Sequence, residues 1–366
     1  MSRTAADPAN LGQLLIRAGR SDAHRPALAV GERVVANYGE LARRAAALSG
    51  QLRGRFALQP GDRVAIAMSN CPQFMEVLNA CWLAGLAAVP MNAKLHPKEF
   101  AYILEDSGAR LLFATEKLAD AIAAHAGGLS QLKEIVRVET PAYEQLLAGD
   151  PMTPDLQGAD SLAWLFYTSG TTGKPKGAML SHRNLLMMTY CYFIDVEHIS
   201  PGDAIIHAAP MSHGSGLYGV PHLAATAIQV IPESRGFDPE EIFSLIRAYP
   251  GTGMFAAPTM VKRLVESPAA GNADVANLKS ITYGGGPMYV EDIKRAMERL
   301  GERFAQIYGQ GESPMTITAL SRSHHAERDH PRWEARLASV GRRQTCAEIA
   351  IRADDGRFLP PGEPGE

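Results

Sequence analysis

The sequence predicts an α/β protein of mostly parallel sheets with helices on their faces, and three observations predict it. Short apolar runs alternate with helix-period segments from residue 61 to 124. The same alternation returns between residues 204 and 307, which implies mostly parallel sheets. The last thirty residues instead read as short strands joined by Asp-Gly and Pro-Gly turns. A chain of 366 residues is long enough for two or three compact units around a large core. The expected division is a first α/β subdomain over 1–160, a second over 161–336, and the start of a β-rich subdomain over 337–366.

In chain order, residues from about 10 to 57 read as helical, in the pieces Leu11–Ala18 and Tyr38–Leu52. A turn at Gly61 feeds a buried strand ending near Met68. Helix Phe74–Ala84, strand Ala87–Met91, helix Pro97–Ser107, strand Arg110–Ala114 and helix Leu118–Ala124 follow. The second stretch reads as strand Ala204–Ala208, helix Leu217–Ala227, strand Ile228–Ile231 and helix Pro239–Ala248. It continues through strand Met254–Ala256, helix Thr259–Glu266, strand Ser280–Tyr283, helix Val290–Leu300 and strand Phe304–Ile307. Between Ser321 and Arg336 the chain is rich in charge and His and carries Pro331, which reads as a surface loop. Its histidines, His324, His325 and His330, lack metal-ligand spacing and read as solvated.

The net charge of −3 and the lack of long basic runs argue against nucleic acid as a partner. Cys71, Cys81, Cys191 and Cys346 form no C-x-x-C pair and read as buried thiols of a reducing compartment, so a cytoplasmic protein is expected. No apolar stretch is long enough to span a bilayer, and the N-terminus lacks a signal-peptide core. The composition leaves a homodimer open.

The run Tyr167-Thr-Ser-Gly-Thr-Thr-Gly-Lys-Pro-Lys-Gly-Ala-Met-Leu-Ser-His182 carries the most chemistry. Thr168, Ser169, Thr171 and Thr172 supply hydroxyls. Gly170, Gly173 and Gly177 allow a backbone to approach a ligand, and Lys174 and Lys176 add cations. Hydroxyls, bare amides and cations on one loop suit a polyphosphate. The apolar strand Leu162–Phe166 precedes the loop, and a helix is expected from Asn184. Lys174 is followed by Pro175, so the run is not a Walker A loop. Gly214-Ser-Gly-Leu-Tyr-Gly219 is a formal dinucleotide fingerprint with Glu233 beyond it, and it raises the alternative of an NAD-dependent oxidoreductase. Its glycines come several residues after the strand, and that alternative leaves the 167–182 run unexplained.

That run resembles the signature of the adenylate-forming superfamily: acyl- and aryl-CoA synthetases, luciferases and peptide-synthetase adenylation domains. The resemblance implies the fold of an acyl-CoA synthetase N-terminal domain: layered αβαβα sheets with helices on their faces, ending in short β-strands of a small distorted barrel. It also implies ATP-dependent activation of a fatty or aryl carboxylic acid to an acyl-adenylate, followed by thioester formation with coenzyme A. Three further segments fit. Gly284, Gly285, Gly286 and Pro287 are similar to the loop that lines adenine and the acyl group. Tyr308, Gly309, Gln310, Gly311 and Glu312 resemble the family's Tyr-Gly-x-Thr-Glu segment, so Tyr308 would stack on adenine and Glu312 would bind Mg²⁺. Gly311 stands where the family usually has Thr. His213, in Pro210-Met-Ser-His, would sit beside the acid carboxylate and the thiol path. His213, Lys176 and Glu312 are therefore the catalytic candidates. The lack of Asp or Glu between Ala204 and Pro232 favours an acid without an α-amine. Leu217, Tyr218, Val220, Met260, Tyr283 and Met288 are candidates for an acyl pocket or for ordinary core.

The resemblance runs from about Tyr38 to Glu366. It implies the large N-terminal domain of such an enzyme, without the mobile C-terminal domain and its adenylating lysine, and with impaired adenylation by this chain alone. Two related alternatives remain at this point: a non-catalytic nucleotide-binding remnant, and an adenylation domain that loads a carrier protein.

Overall fold

The computed structural model describes residues 9–168 and 174–366. Its first two strands form a hairpin, β1 (Pro26–Val30) and β2 (Arg33–Asn37). Six strands then make one sheet: β3 (Arg63–Ala67), β4 (Ala87–Met91), β5 (Leu111–Ala114), β6 (Glu134–Arg137), β7 (Leu162–Thr168) and β8 (Lys176–Ser181), in the order β6-β5-β3-β4-β7-β8. All neighbours in it are parallel except β7 and β8. The remaining strands are β9 (Ala204–Ile206), β10 (Ile228–Ile231), β11 (Thr252–Ala256), β12 (Leu278–Tyr283), β13 (Phe304–Tyr308), β14 (Thr318–Leu320) and β15 (Arg342–Arg343). They form a nine-stranded sheet in the order β15-β14-β13-β12-β11-β9-β10-β1-β2, parallel at its centre and antiparallel at both edges.

Five layers follow from side-chain alternation along the strands. Val64, Ile66, Leu111 and Phe113 face a middle layer of helices that includes Tyr38–Arg53, Pro72–Leu83 and Gly214–Ala224. Their neighbours Ala65, Ala67, Leu112 and Ala114 face the outer helices Pro97–Ser107 and Glu116–Ala123. On the nine-stranded sheet, Ala204, Ile206, Val230 and Met254 face Pro239–Ala248, Pro258–Glu266 and Val290–Leu300. The middle helices are buried on nearly every side, so Pro72–Leu83 and Gly214–Ala224 have no solvent-facing polar stripe, and polar side chains such as Glu76 and His222 are hydrogen-bonded inside the protein.

Several expectations change. The hairpin β1–β2 lies inside the stretch read as helical, and β1 pairs in parallel with β10, Leu28 opposite Gln229. Each sheet therefore takes strands from both sides of residue 160: β1 and β2 join the later strands, while β7 and β8 complete the earlier sheet. Lys176–Ser181 is a strand and not loop; it pairs antiparallel with β7, Thr168 opposite Lys176. The next helix begins at His182, capped by Ser181, whose hydroxyl accepts from the Asn184 amide. The region 321–336 contains two short helices, Arg322–Ala326 and Trp333–Leu337. His325 within it is buried rather than solvated. Its Nδ1–H donates to the Ser321 carbonyl at 2.9 Å, so Nε2 accepts from the Tyr283 hydroxyl at 2.9 Å. Tyr283 is thereby committed to the core. At the C-terminal end, β15 joins the nine-stranded sheet and Arg352 bridges Phe358; no closed barrel is formed among the described residues.

Candidate active site

The site lies where the carboxyl ends of the two sheets meet, the usual position for ligands in α/β proteins. Thr168 ends β7, half-buried, and Lys176 opens β8, exposed. The expected phosphate contacts at Ser169, Gly170, Thr171, Thr172 and Gly173 lie outside the described residues. The hairpin beneath them is firmly seated. The Tyr167 hydroxyl donates to Asp106 at 2.6 Å, and its ring covers Gly177 on the opposite strand. Lys174 stands 5.8 Å from the centre of the Tyr102 ring.

Two further segments converge on the end of β7. A Cβ built on Gly311 would fall 2.6 Å from Thr168 Cγ2 and 3.0 Å from the Phe166 ring. The departure from the family's Thr thus has a local cause: the loop after β13 lies too close to β7 for a side chain there. The Phe166 ring meets the His213 ring edge-on, centroids 5.1 Å apart. Thr168, Phe166 and His213 line one cleft of about 360 Å³ together with Met91, Leu95 and Pro175.

The loop Tyr308–Ile317 closes on itself. Gln310 and Ser313 exchange backbone hydrogen bonds at 3.1 and 3.2 Å, and the Ile317 amide donates to the Tyr308 carbonyl at 3.1 Å. This closure turns polar groups outward. The Tyr308 ring is exposed, its hydroxyl accepts from Gln310 Nε2 at 3.2 Å, and Glu312 is exposed with no ion-pair partner among the described residues. Glu312, Ser313 and Thr316 line a second cleft of about 580 Å³ with Asn184, Met187 and Cys346. One unpaired carboxylate suits Mg²⁺, which takes one or two protein carboxylates and fills its other positions with phosphate oxygens and water. No group of three or more His, Cys, Asp or Glu is clustered among the described residues.

Gly284 to Pro287 follow β12. Gly284 packs on Ile307 of β13, Gly285 has φ of +80°, and Gly285, Gly286 and Pro287 are exposed beside the end of that strand. Gly309 is held against the Met315 backbone, where a Cβ would lie 2.5 Å from its nitrogen.

The loop carrying His213 is fixed from below by residues that the sequence reading did not single out. Buried Asn70, just after β3, donates to the carbonyls of His207 (2.7 Å) and Ala209 (2.9 Å) and accepts from the Met211 amide (3.0 Å). His207 is fully buried between Ser215 Oγ (2.8 Å) and Gln229 Oε1 (2.7 Å). Because Gln229 Nε2 donates to the Gly219 carbonyl, its oxygen faces His207, so the imidazole carries its proton on Nε2. Burial pushes His207 down to about 4 and lowers His213, so both rings are neutral near pH 7. The signals available in the sequence were a strand-end Asn and a His beside the apolar strand β9.

The dinucleotide alternative fails on packing. Gly214 sits on the Phe255 ring and Gly216 on the Met211 carbonyl, where a Cβ would lie 1.7 Å from the oxygen. These glycines belong to a buried helix and have no face toward a pyrophosphate. Of the acyl-pocket candidates, Leu217, Tyr218 and Val220 are buried in the core, whereas Met260 and Met288 are half-buried. The Tyr218 hydroxyl is buried without a hydrogen-bond partner among the described residues.

Two mostly parallel sheets around buried helices, with the antiparallel strands β7 and β8 flanking the Thr/Gly/Lys run of the sequence, define a nucleotide-binding α/β protein of the adenylate-forming kind. The chain belongs to the AMP-binding enzyme family, whose pattern matches residues 16–366. It is 34% identical over 359 residues to a feruloyl-CoA synthase of an Amycolatopsis species, covering 97% of this chain and 69% of that protein. It is 27% identical to the medium/long-chain-fatty-acid–CoA ligase FadD8 of Mycobacterium tuberculosis, covering 98% of this chain and 63% of that one. Among solved structures it resembles ATP-bound MatB of Rhodopseudomonas palustris, with a TM-score of 0.84 and 26% identity over 98% of this chain and 69% of that one. No helix among the described residues is long and apolar enough to cross a membrane.

Proposed function

We propose that this chain carries the acid-activating site of an AMP-forming acid–thiol ligase that takes an aryl or fatty acid, ATP and coenzyme A. The observation that carries this reading is the convergence of Thr168, Gly311 and His213 on the end of β7, with exposed Glu312 next in the chain to Gly311. In the reaction the acid carboxylate attacks the α-phosphorus of ATP and pyrophosphate leaves. The thiol then attacks the acyl carbonyl and AMP leaves. The protein's part in the first step is to position the groups and to offset charge on the phosphates. The hydroxyls of the Thr/Gly/Lys run and Lys176 would serve that task, and the exposed Tyr308 ring offers a surface for adenine. Mg²⁺ held by Glu312 would supply the positive charge that the phosphates need. Neutral His213 sits at the cleft wall, where its ring can donate an N–H to the acid carboxylate or accept the thiol proton.

The support is the family match, the aryl-acid and fatty-acid ligases among the relatives, and the absence of carboxylates that would hold an α-ammonium group between Ala204 and Pro232. The test is exchange of labelled pyrophosphate into ATP with aryl and fatty acids in turn. Thioester formation is then followed with coenzyme A and with a phosphopantetheinyl carrier protein as separate acceptors. Acid-dependent exchange that falls about 100-fold or more in Glu312→Gln is expected, comparable with losing one oxyanion contact. Exchange that is unaffected by Glu312→Gln removes the metal role. No Mg-ATP binding at any concentration removes the nucleotide site.

A further inference from the structure

Cys191 ends the helix His182–Cys191, and Cys346 lies three residues after β15, 155 positions later in the sequence. Their Sγ atoms are 2.9 Å apart, with the Cys191 thiol directed at Cys346. The disulfide bond length is about 2.0 Å, so closing a bond here needs a small movement of one side chain. The two thiols differ in access: Cys191 is buried and Cys346 is exposed. Cys71 and Cys81 are both buried, and neither is hydrogen-bonded to another thiol.

The backbone around Cys346 is tied on both sides. The Thr345 amide and hydroxyl donate to the Asp195 carboxylate at 2.8 and 3.1 Å, just beyond the helix that carries Cys191. Gln344 holds the other side: its amide donates to the Ile317 carbonyl at 3.1 Å, and its Nε2 donates to the carbonyls of Met315 (2.7 Å) and Thr318 (3.1 Å). Cys346 also lines the cleft that contains Glu312, Ser313 and Thr316.

We propose that Cys346 and Cys191 form a reversible oxidation site, in which a peroxide oxidises Cys346 and Cys191 closes an intramolecular disulfide that pins the Glu312 cleft wall to the helix His182–Cys191. In the first step the Cys346 thiolate attacks one peroxide oxygen. The O–O bond breaks, hydroxide leaves, and the sulfur loses two electrons to become a sulfenic acid. In the second step the Cys191 thiolate attacks that sulfur. The S–O bond breaks, hydroxide leaves and takes up a proton as water. A dithiol reductant reverses the change by thiol–disulfide exchange. Cys346 is the exposed thiol and meets the oxidant first; Cys191, whose thiol burial pushes up, is placed to resolve it.

The test uses the full chain, reduced, treated with hydrogen peroxide and digested without reductant. A Cys191–Cys346 linked peptide is expected, with two of the four thiols lost and both recovered with dithiothreitol. In Cys191→Ala a dimedone adduct is expected on Cys346. In Cys346→Ser, which alters only an exposed side chain, the remaining thiols should survive the same treatment. Amide hydrogen exchange over residues 312–318 should slow in the oxidised chain. Survival of all four thiols, oxidation of Cys71 and Cys81 at the same rate, or a disulfide found only between two molecules would overturn the proposal. Unchanged exchange over 312–318 would overturn the pinning. Neither readout involves nucleotide, so failure of the ligase reading leaves both intact.

Discussion

The loops Ala208–Gly214 and Tyr308–Ile317 both border the end of β7, yet they are held by opposite means. The first rests on Asn70, His207, Ser215 and Gln229, all buried, with their hydrogen bonds closed inside the protein. The second is tied mainly by its own backbone and turns Tyr308, Gln310 and Glu312 outward. A clamped loop can hold an aromatic base such as His213 in one place. A self-closed loop can keep a carboxylate such as Glu312 exposed, with no ion-pair partner among the described residues, and so available to a ligand. The difference teaches that stability and chemistry are divided between the two loops, and it makes their variants behave differently.

The largest expected effect is that of acid on the buried histidines, His207 of the clamp among them. Unfolded histidines titrate near about 6.5, whereas burial holds native His207 and His325 down to about 4 and His222 to about 3. Below about pH 6.5 the unfolded chain binds more protons than the native one, so stability falls as pH falls, until the native rings titrate. Each of these histidines contributes about 1.4 kcal/mol per pH unit within that window. Denaturant titrations at several pH values should show this slope, flattened by one such increment in His207→Asn. Next, Asn70→Ala leaves the His207 and Ala209 carbonyls and the Met211 amide without their partner, and should cost about 3 kcal/mol. Asn70→Asp should cost more at neutral pH, because a carboxylate would face two carbonyls. If Asn70→Ala unfolds at the parental denaturant concentration, the contrast between the loops is broken.

Gly311→Thr probes the contact between the self-closed loop and β7. It should cost about 1–3 kcal/mol by overpacking against Thr168 and Phe166. Thr168→Ser removes the nearest methyl, so the double variant should recover part of that loss. Equal losses in the single and double variants would place the strain elsewhere. The smallest expected effect on folding is that of Glu312→Gln, within about 0.5 kcal/mol, since the side chain is exposed and has no ion-pair partner among the described residues. A large stability change in this variant would mean that Glu312 supports the loop rather than a ligand.

What could be read from sequence follows the same division. The strands β3, β4 and β5 were legible because apolar runs such as Val64–Ala67 and Leu111–Ala114 are bounded by helix-period segments. The β1–β2 hairpin was not, because Arg33–Asn37 is largely exposed and its partner strand is short and Ala-rich. β8 was hidden by its half-exposed residues, which read as a continuation of the loop. In the candidate site, Glu312 and His213 stand within runs that carry a family resemblance. Asn70 and His207 act by hydrogen bonds to residues up to 141 positions away, and no local pattern displays that. His325 shows the reverse error: charged neighbours suggested water, but Tyr283 on β12 claims its ring. The cause of Gly311 was also out of reach, since it lies in the approach of β7 to a loop far along the chain.

The pairing of β1 with β10 bears on how this protein is made. Leu28 leaves the ribosome roughly 200 residues before its partner Gln229 exists. At about 5–20 residues per second that gap is roughly 10–40 s. Through that interval β1 and β2 have each other and the helices Tyr38–Arg53 and Pro72–Leu83 but no sheet, and the Ala29 face of β1 has nothing to cover it. The first strands of the chain are thus among the last to be housed, and a newborn polypeptide of this family must be kept from sticking to its neighbours until its middle has been synthesised.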